Sequence, residues 1–122
     1  MSMRLILIAG ALTLAVGCGG NSSPSNPTPT PPPTPTTVSI VQGARTMTTT
    51  AYNPNPVTIS RGTTVMWVNN DTITHTSTST TGAWSSGNMA PGGNFSYTFQ
   101  SAGSFPYNCT IHPNMVGTVT VQ

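Results

Sequence analysis

Residues 38–122 consist of short runs of β-branched and aromatic residues, and Gly, Pro or Asn separates these runs from one another. The apolar spacing of three and four residues that marks an amphipathic helix is absent from this region. The pattern instead favours strands, which we predict at 38–41, 46–50, 57–59, 63–69, 75–80, 94–100, 104–108 and 117–121. Eight short strands joined by turns predict an all-β domain built as a β-sandwich.

Alternation along the seventh predicted strand and into the next residue indicates which way these side chains face. Phe105, Tyr107 and Cys109 occupy every second position, so they share one face of a strand. Because two of the three are large aromatic residues, this face is expected to be the buried one. Cys109 is therefore predicted to point toward the core.

The near absence of charge excludes several classes of function. Only 3% of the residues are charged, and Asp71 is the sole carboxylate side chain. Chemistry that needs paired carboxylates, such as glycoside hydrolysis, is therefore excluded, and a carboxylate cage for Mg²⁺ or Ca²⁺ is disfavoured. A nucleic-acid surface needs clustered basic residues, whereas the chain has only Arg4, Arg45 and Arg61. We expect no nucleic-acid partner.

Residues 1–17 have the pattern of a secretory signal peptide. Arg4 precedes an apolar run over residues 5–16, which is shorter than the roughly 20 apolar residues of a transmembrane helix. The run ends in Leu-Ala-Val-Gly-Cys at residues 14–18, which resembles the lipobox of bacterial lipoproteins. The resemblance implies that Cys18 is lipidated and anchors the chain to a membrane without spanning it. The alternative, an ordinary signal peptide, leaves an unpaired thiol at Cys18 in an oxidising compartment.

Residues 18–37 are predicted to be the lipidated Cys and a tether. Residues 19–37 contain only Gly, Asn, Ser, Thr and Pro, including seven of the chain's 12 prolines. Such a composition cannot bury enough apolar surface to offset the entropy of ordering. Extended as polyproline II, at about 3.1 Å per residue, this segment would span up to roughly 60 Å. We expect it to hold the domain at 38–122 away from a bacterial membrane, in the cell envelope or periplasm. In a Gram-negative organism, the lipoprotein resemblance, with Gly19 rather than Asp after the Cys, would imply the outer membrane. The alternative is a leader without function.

Four residues of the predicted sandwich carry its metal chemistry. Cys109, His112 and Met115 lie three residues apart in one short segment, and His75 lies far upstream. A thiolate, two imidazoles and a weak thioether are the ligand set of a blue-copper site. Zinc prefers four strong ligands, and iron–sulfur clusters need more thiolates. The four residues therefore favour copper.

Other interpretations of these residues remain open at this stage. A single buried Cys often serves only as a small apolar residue, and Met often fills gaps in a core. Cys109 and His112 could also form a thiol nucleophile with its base, for which Asp71 would be the only orienting carboxylate. That arrangement leaves Met115 without a role.

Two longer stretches resemble the cupredoxins of the plastocyanin/azurin group. They are GSFPYNCTIHPNMVGTVTV at 103–121 and NPVTISRGTTVMWVNND at 55–71, the latter followed by His75. The Cys-x₂-His-x₂-Met spacing is similar to that of amicyanin. The resemblance implies a Greek-key β-sandwich with one type 1 copper ion, bound strongly by His75, Cys109 and His112 and weakly by an axial Met115. In many relatives an Asn directly after the first ligand His braces the loop that carries the Cys. This chain has Thr76 at that position, and its hydroxyl is expected to replace part of that brace.

The resemblance also implies a function. A type 1 copper site implies an electron carrier, not an enzyme, that cycles between Cu(I) and Cu(II). Electrons would pass through the exposed edge of His112, and redox partner proteins would dock on an apolar patch around it, formed by Met89, Ala90, Pro91 and Pro113. Met89 could equally serve only to pack its loop. We expect a monomer. The alternatives are a periplasmic copper-scavenging or copper-donating protein that uses the same ligands, and a metal-free adhesion or interaction sandwich on a stalk.

Overall fold

The computed structural model describes residues 17, 19, 20, 25, 27, 28 and 33–122. The chain divides into two units, Met1–Thr30 and Pro31–Gln122. The six described residues of the first unit lie in no helix or strand. The predicted signal peptide, apart from Gly17, and the predicted lipidated Cys18 lie outside the described residues. In the part of the chain that is described, no helix combines the length and the apolar character needed to cross a membrane.

The described residues of the second unit, 33–122, form eight strands and one short 3₁₀ helix, at Ala44–Thr46. The strands are β1 (Thr36–Ile40), β2 (Tyr52–Asn53), β3 (Val57–Ile59), β4 (Thr64–Asn69), β5 (Thr78–Ser79), β6 (Asn94–Thr98), β7 (Gly103–Asn108) and β8 (Val116–Val121). The predicted all-β architecture of about eight strands is confirmed.

The strands form two mixed four-stranded sheets. The first has the order β2-β1-β4-β6, with β1 and β4 parallel and the other pairs antiparallel. The second has the order β3-β8-β7-β5, with β3 and β8 parallel. Each sheet thus pairs strands that are distant in sequence, β1 with β4 and β3 with β8.

Aromatic residues fill the space between the sheets. Trp67 of β4 is completely buried, stacks on Trp84 at 5.3 Å between ring centroids, and meets Tyr107 of β7 edge-on at 5.4 Å. Edge-on and offset contacts at these distances are favourable for aromatic rings. Because Trp67 and Tyr107 belong to different sheets, their contact joins the two layers of the sandwich.

Two of the predicted strands differ from the structure. Residues 46–50 form no strand, because other groups bind their backbone: the Asn114 side chain donates to Met47 O at 2.7 Å, and Val116 N donates to Thr48 O at 3.3 Å. The high β-propensity of threonine does not make a strand where no neighbouring strand is available. The strand predicted at 75–80 is reduced to β5, preceded by a single bridge between His75 and Met89.

Candidate metal centre

Three potential ligand atoms meet at one end of the sandwich. Cys109 Sγ lies 3.9 Å from Nδ1 of His75 and 3.9 Å from Nδ1 of His112, and the two Nδ1 atoms are 3.2 Å apart. Donor atoms that share one metal ion, at bond lengths of about 2.0–2.3 Å, lie roughly 3–4 Å from each other. His75 and Cys109 are completely buried, whereas His112 is half-buried. The three atoms therefore have the spacing of ligands to a single ion near the surface.

The segment that carries Cys109, His112 and Met115 is closed by its own backbone. Cys109 N donates to Met115 O at 3.1 Å, and Met115 N donates to His112 O at 2.9 Å. The antiparallel ladder of β7 and β8 extends to the pair Asn108 and Val116, so both ends of the loop are fixed. Met115, the fourth residue singled out from the sequence, lies in this loop with its side chain completely buried.

His75 is held in place by backbone pairing with a loop. Its N–H donates to Met89 O at 3.1 Å, and Met89 N donates back to His75 O at 2.8 Å. Asn69, the last residue of β4, donates from its side chain to Met89 O at 2.9 Å and to Ile73 O at 2.8 Å. A buried amide at the end of a central strand thus positions the histidine that is most distant in sequence from the other ligands.

Thr76 connects the two segments that bring the ligand atoms together. Its backbone N–H donates to Cys109 Sγ at 3.3 Å, and its hydroxyl accepts a hydrogen bond from Thr110 N at 2.9 Å. Its carbonyl accepts from the hydroxyl of Tyr52 at 2.6 Å. Burial raises the pKa of Tyr52 far above its ordinary value, so this phenol remains a donor. The hydroxyl of Thr76 therefore makes the bracing contact that was expected of it.

Asp71 contacts the centre from behind His75. Asp71 Oδ2 lies 2.7 Å from His75 Nε2, and Oδ1 accepts hydrogen bonds from Gly43 N at 3.1 Å and Thr72 N at 2.7 Å. Burial acts to raise the pKa of Asp71, but the hydrogen bonds from His75, Gly43 and Thr72 outweigh it and lower the pKa to about 2. Sequence reasoning considered Asp71 only as a companion of a thiol nucleophile. The available signal was its position four residues before a candidate ligand.

Two exposed apolar residues, Ile111 and Pro113, flank His112 in the sequence. Ile111 is 44% exposed, and Ala90, Pro91 and Pro113 are exposed as well. Met89, which was included in the expected docking patch, is only 3% exposed and packs in the core. Ile111 was not anticipated, because a single apolar residue between polar neighbours has no recognisable pattern in a sequence.

Comparison with known proteins gives consistent results. The family model for copper binding proteins of the plastocyanin/azurin family matches residues 38–122. No match was found among curated protein sequences. Among solved structures, the chain is similar to a purple cupredoxin from Nitrosopumilus maritimus, with 32% sequence identity and a TM-score of 0.66. That match covers 71% of this chain and 99% of the other.

Two further solved structures have the same fold. The reduced form of an amicyanin variant is 25% identical, with a TM-score of 0.61, and the match covers 72% of this chain and 82% of amicyanin. A copper-containing nitrite reductase from Thermus scotoductus is 24% identical, with a TM-score of 0.61. That match covers 74% of this chain but only 23% of the reductase, and at this identity it bears on the fold alone.

Proposed function

Because the chain belongs to the plastocyanin/azurin family of copper-binding proteins, we propose that it is a one-electron carrier with a single type 1 copper ion. The cupredoxin resemblance noted in the sequence is thereby confirmed. The proposed copper ligands are His75, Cys109, His112 and Met115. The observation that carries the proposal is the convergence of Cys109 Sγ and two imidazole Nδ1 atoms, each 3.9 Å from the sulfur.

The chemistry of these residues fits copper better than the other common metals. A thiolate and two imidazoles with a weak thioether are typical of blue-copper electron-transfer sites. Structural zinc sites use four strong ligands, and a buried methionine does not supply the fourth. Copper bound here supplies one-electron exchange between Cu(I) and Cu(II).

The surrounding protein supports electron transfer by limiting movement. The N–H of Thr76 points at the Cys109 sulfur, and the loop from 109 to 115 is closed by its own hydrogen bonds. Ligand atoms held in this way need little rearrangement when the charge of the site changes. Four ligands from the protein also leave no open position for substrate, which catalytic metal sites keep. These features support a carrier rather than an enzyme.

Half-buried His112 is the proposed route for electrons to reach the surface. The exposed apolar residues Ile111 and Pro113 flank it, and we propose that redox partners dock there. Such a surface allows a partner to approach the imidazole closely without removing charged groups from water. Residues 38–122 carry two arginines and one aspartate, a formal charge of +1, so long-range steering contributes little.

Copper titration and redox cycling of the purified protein test the proposal. We expect one equivalent of Cu(II) to bind with an intense visible absorption from the thiolate and to cycle reversibly between its oxidation states. Cys109→Ser should abolish that absorption, while Met66→Leu, on β4, should leave it unchanged. A protein that stays colourless after stoichiometric copper addition would contradict the proposal.

A copper-handling role uses the same ligands, and the position of His112 favours it as the second candidate. A half-buried ligand leaves the metal one side chain from solvent, as exchange with another protein requires. Redox titration separates the two roles. A carrier keeps its copper through repeated cycles, whereas a store or donor releases it on reduction or to a copper chelator of moderate affinity.

We further propose that Cys18 is lipidated and anchors the domain to a bacterial membrane through the tether. The sequence Leu-Ala-Val-Gly-Cys at 14–18 and the Pro-rich segment after it support this. Cys18→Ser should move the protein from the membrane fraction to the soluble fraction of expressing cells. Cys109→Ser serves as the control and should stay with the membrane. If the Cys18 variant also remains membrane-bound, lipidation at this position is wrong.

A further inference from the structure

The only carboxylate side chain in the sequence is buried directly behind a proposed copper ligand. Asp71 and His75 have side chains that are 4% and 0% exposed, and Asp71 Oδ2 lies 2.7 Å from His75 Nε2. The opposite nitrogen of the ring, Nδ1, faces the Cys109 sulfur at 3.9 Å. The imidazole thus lies between a carboxylate on one side and the proposed metal position on the other.

The hydrogen bonds around Asp71 define the protonation of both groups. Oδ1 accepts from two backbone N–H groups, those of Gly43 and Thr72. An oxygen in that position must be an acceptor. Two backbone donors favour the ionised form of the carboxylate, and an ionised carboxylate has acceptors alone, so the second oxygen accepts from the ring nitrogen that it faces. His75 Nε2 therefore carries the proton and donates it to Asp71, which leaves the lone pair on Nδ1, toward the sulfur.

From this geometry we infer that Asp71 is a positioning residue for copper. It fixes the tautomer and the orientation of His75, and its buried negative charge favours the oxidised metal. A carboxylate that accepts from a metal-bound histidine raises the basicity of that ligand, and its loss typically costs 10–100-fold in metal affinity. The inference rests on the proposed function, because it concerns the same copper site.

The charge balance explains why the effect should differ between oxidation states. The thiolate of Cys109 and the carboxylate of Asp71 each contribute one negative charge, which together balance Cu(II). With Cu(I) the same two groups leave one negative charge uncompensated in a buried setting, where such a charge is unfavourable. Asp71 should therefore strengthen binding of Cu(II) more than binding of Cu(I), which lowers the reduction potential.

Asp71→Asn tests the inference, because asparagine has nearly the same shape but one acceptor and one donor. Its NH₂ group must face either His75 Nε2 or the two backbone N–H groups, and neither arrangement keeps all the present bonds. We expect Cu(II) affinity to fall 10–100-fold and Cu(I) affinity to fall less. Each tenfold loss of Cu(II) relative to Cu(I) affinity raises the potential by about 59 mV.

Matched variants separate a local effect from a general charge effect. Asn70 is exposed and adjacent in sequence, so the double variant Asn70→Asp with Asp71→Asn keeps the net charge but moves it to the surface. We expect this variant to resemble Asp71→Asn in its potential. Asp71→Glu keeps the charge, and a cavity of about 330 Å³ beside Asp71 offers room for the added methylene. It should recover part of the Cu(II) affinity.

A measurement on the unaltered protein covers the case in which Asp71→Asn does not fold. Nitrogen-15 NMR of the metal-free protein at pH 9 should show the proton of His75 on Nε2. A proton on Nδ1, or an Asp71→Asn protein with unchanged Cu(II) and Cu(I) affinities, would overturn the inference while leaving the copper site in place. Failure of the unaltered protein to bind copper would instead refute the proposed function.

Discussion

Residues next to the candidate ligands hold the site together through their hydrogen bonds. Thr76 shows this most directly, because its backbone contacts the Cys109 sulfur while its hydroxyl holds Thr110 N. The resemblance to the cupredoxins located this position and its unusual residue in advance. The contact of Asp71 with His75 was not predicted, since sequence spacing alone does not show that a carboxylate before a turn folds back onto the ring.

Replacing Thr76 by valine should weaken the protein and disturb the centre. Valine has nearly the same shape but cannot accept the hydrogen bond from the N–H of Thr110, a residue that is itself exposed, and loss of one such bond typically costs about 0.5–1.5 kcal/mol. We expect the free energy of unfolding, measured by urea denaturation, to fall by that amount, with a shift in the visible band of the copper-loaded protein. Thr76→Ser retains the hydroxyl and should change either quantity less. Equal stability of the valine variant and the unaltered protein would show that the hydroxyl does not brace the loop.

Met115→Leu should preserve the blue colour and raise the reduction potential. The proposed strong ligands, the thiolate and both imidazoles, remain, whereas an axial ligand tunes the potential of such sites. Loss of a sulfur donor weakens Cu(II) more than Cu(I). Leucine is close to methionine in volume, so stability should fall by less than about 1.5 kcal/mol. Redox titration of Met115→Leu and of the control variant Met66→Leu, on β4, tests the predicted rise in potential. Equal potentials in the two variants would argue against axial coordination by Met115.

At the scale of strands, patterns of alternation predicted most of the architecture. The strands with a buried face, such as β4 and β8, alternate buried and half-buried residues along their whole length and were found close to their observed bounds. The strand predicted at 46–50 was wrong because its backbone is bound by the Asn114 side chain and by Val116 N, both more than 60 residues away. A local sequence pattern does not indicate a hydrogen-bond donor that is so distant in sequence.

Gly117→Ala should destabilise the β7–β8 pair. Gly117 lies directly opposite Tyr107 in the ladder, and a Cβ there would lie 2.5 Å from the tyrosine oxygen and 2.8 Å from a ring carbon. Overpacking of this kind typically costs about 1–3 kcal/mol. Denaturant unfolding of the metal-free protein measures the loss. Tyr107→Leu removes the aromatic ring, so a double-mutant cycle should show that the alanine costs less in the leucine background; strict additivity would mean that the two residues do not clash.

For the molecule as a whole, electron exchange should depend on apolar contact rather than on charge. With a formal charge of +1 on residues 38–122, two copies repel only weakly, and salt has little long-range interaction to screen. We expect the electron self-exchange rate, measured by NMR on mixtures of the two oxidation states, to change little between low and high ionic strength. Ile111→Glu should slow it and introduce a salt dependence. A steep salt dependence in the unaltered protein would contradict this picture.

The arrangement of strands and loops in the folded domain was only partly predictable from the sequence. The two-sheet architecture was anticipated from the strand pattern, and the grouping of His75, Cys109 and His112 from ligand spacing and the resemblance to the cupredoxins. The parallel pairing of β1 with β4, and of β3 with β8, was not, because such pairing joins strands that no hairpin connects. Likewise, nothing in the sequence distinguished Met89 as buried and Ile111 as exposed, since both follow from how separate loops meet.

The position of β1 has a mechanical consequence. The Pro-rich segment runs directly into Thr36, and all five residues of β1 pair in parallel with β4, in the middle of a sheet. A pull directed along β1 would load these five pairs together in shear, whereas a pull across the sheet would peel them apart one after another. Under a pull along β1, a domain tethered through this strand would resist unfolding more strongly than one tethered through a strand whose pairs open one after another.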